Sequence, residues 1–351
     1  MTSPHDIAVL GTSPAGCATA CLLAARGLRV ALADYPGPSC ESPLADWVPR
    51  DFWRLPGVGS AVQKACGAET FRWVRYHDAA LSREAEIALR PECGSLVRFP
   101  RRPAIRLGED SVLLSGGRSL AARILLIAQG SPQEALSDLS LPVRSQPRSE
   151  FLAAALDVPL PGGKAPANLA GSLHLVASRQ RGKLGMFFAA RGMLHVRLVW
   201  AAGAGAETAA ELSAFLSDLR RTGRLGGAIS LKGAKGASWR PPAGEALDLE
   251  THVAKRCLLL GTAGGFADCI TGGTLYPSVR SAAVAAKVAA SALDAREEQD
   301  GLMRYKNEWR RQLADSLRPP GTSVDMLLPL LLANRKLVGK FTRAMLYGRS
   351  I

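Results

Sequence analysis

The chain has 351 residues, 47% of them hydrophobic, enough for one large domain or two closely packed ones. No apolar run reaches bilayer-spanning length, and the seven scattered cysteines form no CxxC pair, which argues against a membrane span, a disulfide framework and a zinc site. The net charge of +14 is compatible with nucleic acid, an anionic membrane or an anionic substrate. Because aromatic residues do not interleave with the basic ones, we expect no nucleic-acid partner. The first residues carry no signal-like segment, so we expect a cytoplasmic protein.

The first predicted elements form a βαβ unit. Residues 7–10 are an apolar run typical of a strand buried on both faces. A helix rich in small residues follows over 17–26 and ends at Gly27. A second buried strand, 28–33, ends at Asp34, which gives the unit about the thirty residues typical of a dinucleotide-binding motif.

The turn GTSPAG inside this unit predicts a phosphate site. Gly11 permits the tight turn, Ser13 takes the place of the middle glycine, and Gly16 allows close helix–strand contact. The helix N-terminus offers free N–H groups to phosphate, and Asp34 is placed to accept ribose hydroxyls. The predicted contacts of this unit are Gly11, Ser13, Pro14, Ala15, Gly16 and Asp34.

The middle of the chain predicts strands and a connection. We expect a helix over 59–68, strands within 71–106, a hairpin of 111–114 with 120–129, and a crossing between domains over 131–170. Further predicted elements are antiparallel strands at 173–177, 185–190 and 194–200, a helix at 206–221 and a short strand at 228–232.

The chain then returns with a second glycine-rich turn. A buried strand over 257–260 precedes it, helices over 276–299 and 302–316 follow it, and an apolar, basic tail occupies 324–347. A nicotinamide-binding domain has no need of a second strand–turn–helix element so far along the chain. A two-ended cofactor does, and this favours FAD.

The second turn carries a family resemblance. GTAGGFADCITGGTLYPSVRSA resembles the segment GDAAGFVSPITGGGIYYALRSG of flavoproteins of the para-hydroxybenzoate hydroxylase type, most closely their geranylgeranyl reductase branch. ARILLIAQG, which ends at Gly130, is similar to the family's strand before an "ADG" turn. The resemblance covers about the first forty residues and the region from 250 onward. It implies cofactor contacts at Gly130, Gly261, Thr262, Thr271, Gly272 and Gly273.

The chain departs from the family pattern at three positions. Thr262 replaces the acid that typically bonds the ribityl hydroxyls, Thr274 replaces a glycine, and Cys269 replaces a proline. Loss of the charged partner costs about 1.5–3 kcal/mol, or roughly tenfold or more in affinity. Cys269 would lie near the flavin, where a packing role is favoured over a redox role. Arg280 on the following helix would face phosphate, substrate or solvent.

The resemblance implies an α/β fold: a Rossmann FAD-binding domain of the glutathione-reductase type, an inserted substrate domain with an antiparallel sheet, and C-terminal helices. We expect the FAD domain over 1–150 and 250–300, the substrate domain over 151–249 with part of 60–110 as an alternative addition, and a helical segment over 301–351.

The expected function is that of an FAD-dependent oxidoreductase that transfers hydride from reduced flavin to a hydrophobic, isoprenoid or lipid-like substrate. The alternatives are a flavin monooxygenase and a non-catalytic binding protein with weak or lost FAD binding. The electron donor is unknown, and no catalytic residue or metal site is assigned. His77, His174, His195 and His252 are isolated in the sequence and are interpreted as structural or surface residues. The basic tail predicts either a packed amphipathic helix or peripheral contact with an anionic membrane.

Overall fold

The computed structural model describes most of the chain. The described residues are 5–34, 40, 46–55, 71–88, 94–97, 112–114, 122–142, 150–177, 183–202, 208–225, 229–230, 234–295, 297–318 and 324–347. The predicted helix over 59–68 lies outside them.

Fifteen strands and nine helices are found within these residues. The strands are β1 (His5–Leu10), β2 (Val30–Ala33), β3 (Asp46–Pro49), β4 (Trp73–His77), β5 (Glu84–Ala88), β6 (Gly94–Val97), β7 (Val112–Leu114), β8 (Ala122–Ile127), β9 (Glu150–Pro159), β10 (Ser172–Ala177), β11 (Lys183–Ala190), β12 (Met193–Ala202), β13 (Lys235–Trp239), β14 (Val253–Ala254) and β15 (Cys257–Leu259). The helices are α1 (Pro14–Ala24), α2 (Pro132–Asp138), α3 (Thr208–Arg221), α4 (Glu245–Asp248), α5 (Leu275–Ala292), α6 (Glu298–Leu302), α7 (Arg304–Leu317), α8 (Val324–Ala333) and α9 (Arg335–Tyr347).

The first sheet has the order β14-β15-β8-β1-β2-β7 and is parallel except for the short β14. In its centre, Ile7 pairs with Val30 on one side and Ile124 on the other. All three side chains are almost fully buried, as expected of a parallel sheet covered on both faces. The predicted βαβ unit is therefore present, and α1 packs against α5 from the far end of the chain.

The second sheet has the order β13-β9-β12-β11-β10-β4-β5 and is antiparallel except between β10 and β4. One face packs against α3, where Trp200 and Leu216 are buried. The other face carries Phe188 and Met186 and packs against α8 and α9. The mixed α/β fold with parallel and antiparallel sheets and C-terminal helices is thus the predicted one, while the exact domain boundaries stay a prediction.

Two predicted connections are wrong. Strand β7 does not form a hairpin with β8: it pairs in parallel with β2 at the sheet edge, and β8 lies between β1 and β15. The predicted crossing over 131–170 contains α2 and the ten-residue β9, which pairs with β12 and β13. The alanines of β9 have low strand propensity, so tertiary pairing decides its conformation.

The other predicted elements shift by a few residues. The strand expected over 228–232 falls largely outside the described residues, and the strand found nearby is β13. The long helix expected over 276–299 ends at Ala292, and α6 follows as a separate short helix.

The tail forms two helices that cover the second sheet. Leu331 of α8 and Val338 and Phe341 of α9 are each 2% exposed and belong to the core of that sheet. The Tyr76 hydroxyl forms a 2.5 Å hydrogen bond with the Thr342 hydroxyl, which joins β4 to α9. The predicted packed amphipathic helix is therefore observed. No helix in the described part of the chain is both long and apolar enough to span a membrane.

Candidate cofactor site

The first glycine turn is held by backbone contacts that leave no room for side chains. Gly11 has a φ of +104°, and a Cβ placed on it would lie 2.4 Å from Cβ of Gln129. A Cβ on Gly16 would lie 1.9 Å from the carbonyl oxygen of Gly11. The N-terminus of α1 therefore lies directly against the turn, as the sequence predicts for a phosphate-binding unit.

Ser13 directs its hydroxyl into the protein rather than outward. Its Oγ accepts a hydrogen bond from the Gly16 amide at 3.2 Å and donates to the Ala128 carbonyl at 3.1 Å. Ser13 is thus the N-cap of α1 and ties the helix to the end of β8. Because the hydroxyl is turned inward, serine can replace the usual middle glycine here without filling the space above the turn.

Asp34 lies at the exposed end of β2, where the sequence places the ribose contact. Its carboxylate accepts a hydrogen bond from the Thr12 hydroxyl at 2.8 Å. Thr12 is a turn residue that the sequence did not single out. It fixes one carboxylate oxygen next to the glycine turn.

The second glycine turn meets the first at the end of β8. Gly261 has a φ of +57°, and a Cβ on it would lie 2.4 Å from the Ala128 carbonyl oxygen and 2.9 Å from Cβ of Ala15. The Gly261 amide donates to the Ser281 hydroxyl of α5 at 3.0 Å. Two turns 245 residues apart thus lie on the same strand end, next to Gly130, whose φ is +100°.

Thr262 holds a buried hydroxyl without a partner. It lies in the 3₁₀ turn Gly261–Gly264, is 0% exposed, and its Oγ1 makes no hydrogen bond within the described residues. Leaving a buried polar group unsatisfied costs about 1–3 kcal/mol, so such groups are rare unless a ligand or water serves them. The position that replaces the family acid therefore carries an unused polar atom, as several other buried side chains in the described residues also do.

The loop before α5 is organised by Asp268, which the sequence did not single out. Its carboxylate accepts hydrogen bonds from the amides of Ile270 (2.9 Å) and Thr271 (3.0 Å) and from the Thr271 hydroxyl. The Gly272 amide donates to the Asp268 carbonyl at 3.0 Å, and the Asp268 amide donates to the Gly273 carbonyl at 2.8 Å. An aspartate before a Thr-Gly-Gly run is a local sign of such a turn. The Thr271 hydroxyl is used inside the loop, so it serves the turn rather than a ligand.

Cys269 next to this loop is a packing residue. Its thiol donates to the Leu317 carbonyl at 3.0 Å, and burial, aided by the nearby charges of Asp268 and Asp248, raises the pKa of the Cys269 thiol to about 12. A thiol with that pKa forms almost no thiolate at neutral pH and is a poor nucleophile.

We therefore expect Cys269 to resist alkylation in the folded protein. Iodoacetamide treatment at about pH 8, followed by peptide mapping, should leave Cys269 unlabelled while the same peptide is fully labelled in denaturant. Cys257, whose pKa burial also raises to about 12, serves as a matched buried control. Rapid native labelling of Cys269 alone would contradict this reading.

The four interior histidines are not isolated, contrary to expectation. His77 and His174 form a ring-to-ring hydrogen bond of 3.0 Å on neighbouring strands, and His195 Nδ1 lies 2.7 Å from Asp157. Nε2 of His252 donates a hydrogen bond to the Gly264 carbonyl at 3.0 Å. Strand register brings these partners together, and sequence spacing alone does not show it. No cluster that could hold a metal ion occurs among the residues described.

The architecture and the two joined glycine turns define a fold, that of FAD-binding hydroxylases, and comparison with solved structures agrees. A geranylgeranyl bacteriochlorophyll reductase-like protein from Thermoplasma acidophilum is 14% identical over 98% of this chain and 97% of its own, with a TM-score of 0.70. The flavin-dependent brominase Bmp2 is 13% identical over 99% and 94%, with a TM-score of 0.68. A probable FAD-dependent monooxygenase from Pseudomonas aeruginosa is 19% identical over 97% and 100%, with a TM-score of 0.63.

No family model and no curated protein sequence matches the chain. At these identities the structural likeness shows a shared fold. The chain is a divergent representative of it.

Proposed function

We propose that the protein is an FAD-dependent oxidoreductase. The observation that carries the proposal is the meeting of the two glycine turns at Ala128, with the unpartnered Thr262 hydroxyl beside them. Proteins with this fold include a reductase-like protein, a flavin-dependent brominase and a probable FAD-dependent monooxygenase.

The residues of this chain fit the two ends of FAD. The amides of Thr12, Ser13 and Ala15 at the N-terminus of α1 would hold phosphate, since those of Gly11 and Gly16 are bonded internally, and Asp34 would accept the adenosine ribose hydroxyls. Thr262 would serve the flavin half, and the loop from Thr271 to Gly273, whose amides are bonded within the loop, would shape that end of the site. FAD, when bound, supplies the redox chemistry, and the protein positions it and the substrate.

The substrate we propose is hydrophobic, isoprenoid or lipid-like, and the reaction a reduction by hydride transfer. A flavin monooxygenase is the second candidate, favoured by the third structural neighbour. The rival from another class is a non-catalytic binding protein, motivated by Thr262 and Thr274 in place of the acid and glycine of the family pattern. The electron donor is not assigned.

An FAD titration distinguishes the FAD-dependent enzyme from the non-catalytic binding protein. The purified protein, recorded in the visible range while FAD is added, should show flavin absorbance at one equivalent. No binding at tens of micromolar FAD would contradict the proposed cofactor.

Removal of the Thr262 hydroxyl gives a sharper test. Thr262→Val should leave the free protein as stable or more stable, because an unsatisfied buried hydroxyl is lost, yet weaken FAD binding about tenfold through one missing hydrogen bond. Thermal unfolding without FAD and the FAD titration measure the two effects. Thr262→Asp, which restores the family acid, is the matched variant. It should lower the stability of the free protein by burying a charge and tighten FAD binding. Parallel changes of stability and affinity in Thr262→Val would argue against a ligand role.

We propose that the protein binds peripherally to an anionic lipid surface and that α9 makes the contact. Lys336, Lys340 and Arg343 recur on one exposed face of the helix, while Val338 and Phe341 face the sheet. Leu330 at the end of α8 is 52% exposed. Basic residues beside an exposed apolar side chain suit an anionic membrane surface, where each contributes about 1 kcal/mol.

Charge reversal tests this contact without uncovering the core. The triple variant Lys336→Glu/Lys340→Glu/Arg343→Glu should lose sedimentation with vesicles that contain phosphatidylserine, because three attractions become repulsions. Reversal of Arg220 and Arg221 on α3 together with the exposed Lys287 on α5 is the charge-matched control and should sediment like the original chain. Equal sedimentation of both variants would remove the membrane proposal.

A further inference from the structure

One pair of polar side chains on the second sheet is arranged for proton transfer. His195 of β12 and Asp157 of β9 are directly opposite in the strand register, and Nδ1 of His195 lies 2.7 Å from Oδ1 of Asp157. The Asp157 residue is only 4% exposed. Asp157 is the only hydrogen-bond partner of the His195 ring within the described part of the chain. A buried carboxylate whose one partner is an imidazole is costly to retain, and this kind of local conflict occurs mainly at functional sites.

The pair fixes how the imidazole can act. A carboxylate only accepts hydrogen bonds, so Nδ1 of His195 carries the proton and Nε2 of the neutral ring keeps a lone pair. Phe188 stacks on the ring with centroids 4.9 Å apart and an interplanar angle of 24°. The side chain keeps 12% of its surface exposed. Tautomer and orientation are thus both set, and the free nitrogen is an acceptor for an incoming O–H group.

The pair lies on the face of the sheet that meets the second glycine turn. Successive side chains of a strand point to opposite faces of the sheet, so His195 and Val199, four residues apart, lie on the same face of β12. A Cβ on Gly272 would lie 3.5 Å from Cγ1 of Val199, which places the turn at that end of the strand. Four residues separate Val199 from His195, about 13 Å along the strand.

Between these points the face holds small and positively charged residues. Ala155 and Ala153 of β9, opposite Arg197 and Val199, are small and buried. Arg197 lies two residues after His195 on the same face of β12. It is 6% exposed, and its guanidinium lies 5.5 Å from the centre of the Trp239 ring. A guanidinium beside an oriented base suits an oxygen that becomes negative when it gives up its proton.

We propose that His195 is a proton-exchange residue for a hydroxyl-bearing apolar substrate bound against this face, with Asp157 as its positioning residue. The substrate O–H bond breaks, an Nε2–H bond forms, and the oxygen keeps the electron pair near Arg197. The imidazolium stays beside the Asp157 carboxylate, and the reverse step returns the proton. The location of substrate on this face rests on the proposed function, whereas the reactivity of Nε2 does not.

Carbethoxylation of the native protein tests the proposal without any flavin. Diethyl pyrocarbonate reacts with an available imidazole lone pair, and the tryptic peptide 192–197 reports His195 alone. We expect His195 to react at least about tenfold faster than the buried His77, His174 and His252, and Asp157→Asn to slow it about tenfold by releasing the tautomer. His5→Gln is the control and should leave the His195 rate unchanged. An unreactive His195, or a rate that Asp157→Asn does not change, overturns the proposal.

A matched pair of probes tests the substrate class on the unaltered chain. Farnesol should protect His195 from carbethoxylation, whereas farnesyl methyl ether, which lacks the O–H group, should not. Equal protection or none overturns the hydroxyl assignment even when Asp157→Asn fails to fold. Failure of the FAD titration would instead refute the proposed function and leave these results unaffected.

Discussion

Gly16→Ala is expected to destabilise the protein by about 3 kcal/mol, the upper range for overpacking a tight site, whereas Gly339→Ala should stabilise it by about 0.5–1 kcal/mol. The added methyl at Gly16 would lie 1.9 Å from the carbonyl oxygen of Gly11, so backbone must move. At Gly339 in α9 the nearest atom is Cδ1 of Ile87 at 3.4 Å, and the helix simply gains propensity. Urea unfolding of both variants measures the two changes in unfolding free energy, which should have opposite signs. Shifts of equal sign and size would show that the turn is not tightly packed.

Gly16→Ala should also abolish FAD binding. Displacement of the α1 N-terminus moves the amides that would hold phosphate, so Gly16→Ala should bind no FAD under conditions where it remains folded, while Gly339→Ala should bind like the original chain. Gly11→Val would be a less clean test of the same turn. A Cβ on Gly11 would lie 2.4 Å from Cβ of Gln129, and the φ of +104° is strained for valine. A loss of FAD binding there would be mixed with a loss of fold.

The sequence predicts the two glycine turns and their flanking elements well because each is local. Strand, turn and helix follow one another within about thirty residues, and glycine is required where a turn has a positive φ. The inward hydroxyl of Ser13 and the role of Asp268 were missed, since both depend on which neighbour is near in space. The contact of Gly261 with the end of β8 could be inferred only from a family resemblance.

The pairing of strands in both sheets was less predictable for a physical reason. Strands β7 and β8 are both apolar, and periodicity does not distinguish a hairpin from two parallel neighbours. The pairing of His195 with Asp157 depends on the register of β12 and β9, which long-range packing sets. The pairing of His77 with His174 likewise joins residues 97 positions apart. Polar pairs across a sheet are therefore the features that sequence patterns reveal least.

Acid is expected to unfold the protein steeply between about pH 6.5 and pH 4, the window set by its buried histidines. Burial, followed by mutual repulsion and the charges of Arg224 and Arg75, lowers the pKa of His77 to about 3, and burial first of all lowers that of His174 to about 3. Burial lowers the pKa of His252 to about 4. In the unfolded chain these rings take up protons near pH 6.5, so there the unfolded state binds more protons than the native one.

The sign of the effect follows from that difference. Stability is complete above about pH 6.5 and falls by about 1.4 kcal/mol per pH unit for each of the three rings as the pH decreases, or about 4 kcal/mol per unit together. Single domains have only about 5–15 kcal/mol in total, so the roughly 10 kcal/mol lost over this window removes most or all of the stability. Asp6 and Asp78, whose pKa values hydrogen bonds lower, add to the loss only at more acidic pH, and the raised pKa of Glu245 opposes it.

Replacing His77 and His174 isolates the contribution of this stacked pair to the pH dependence of the unfolding free energy. His77→Phe/His174→Phe keeps two rings in the place of the stacked imidazoles, whose centroids lie 5.2 Å apart, and removes two of the three proton uptakes. The slope of unfolding free energy against pH, from urea titrations between about pH 7 and pH 5, should fall by about 2.7 kcal/mol per unit. His5→Gln, at the start of β1, should leave the slope unchanged. An unaltered slope in the double variant would mean that the pair is already protonated in the native sheet, and the 3.0 Å ring-to-ring hydrogen bond, which needs one lone pair, could then not exist.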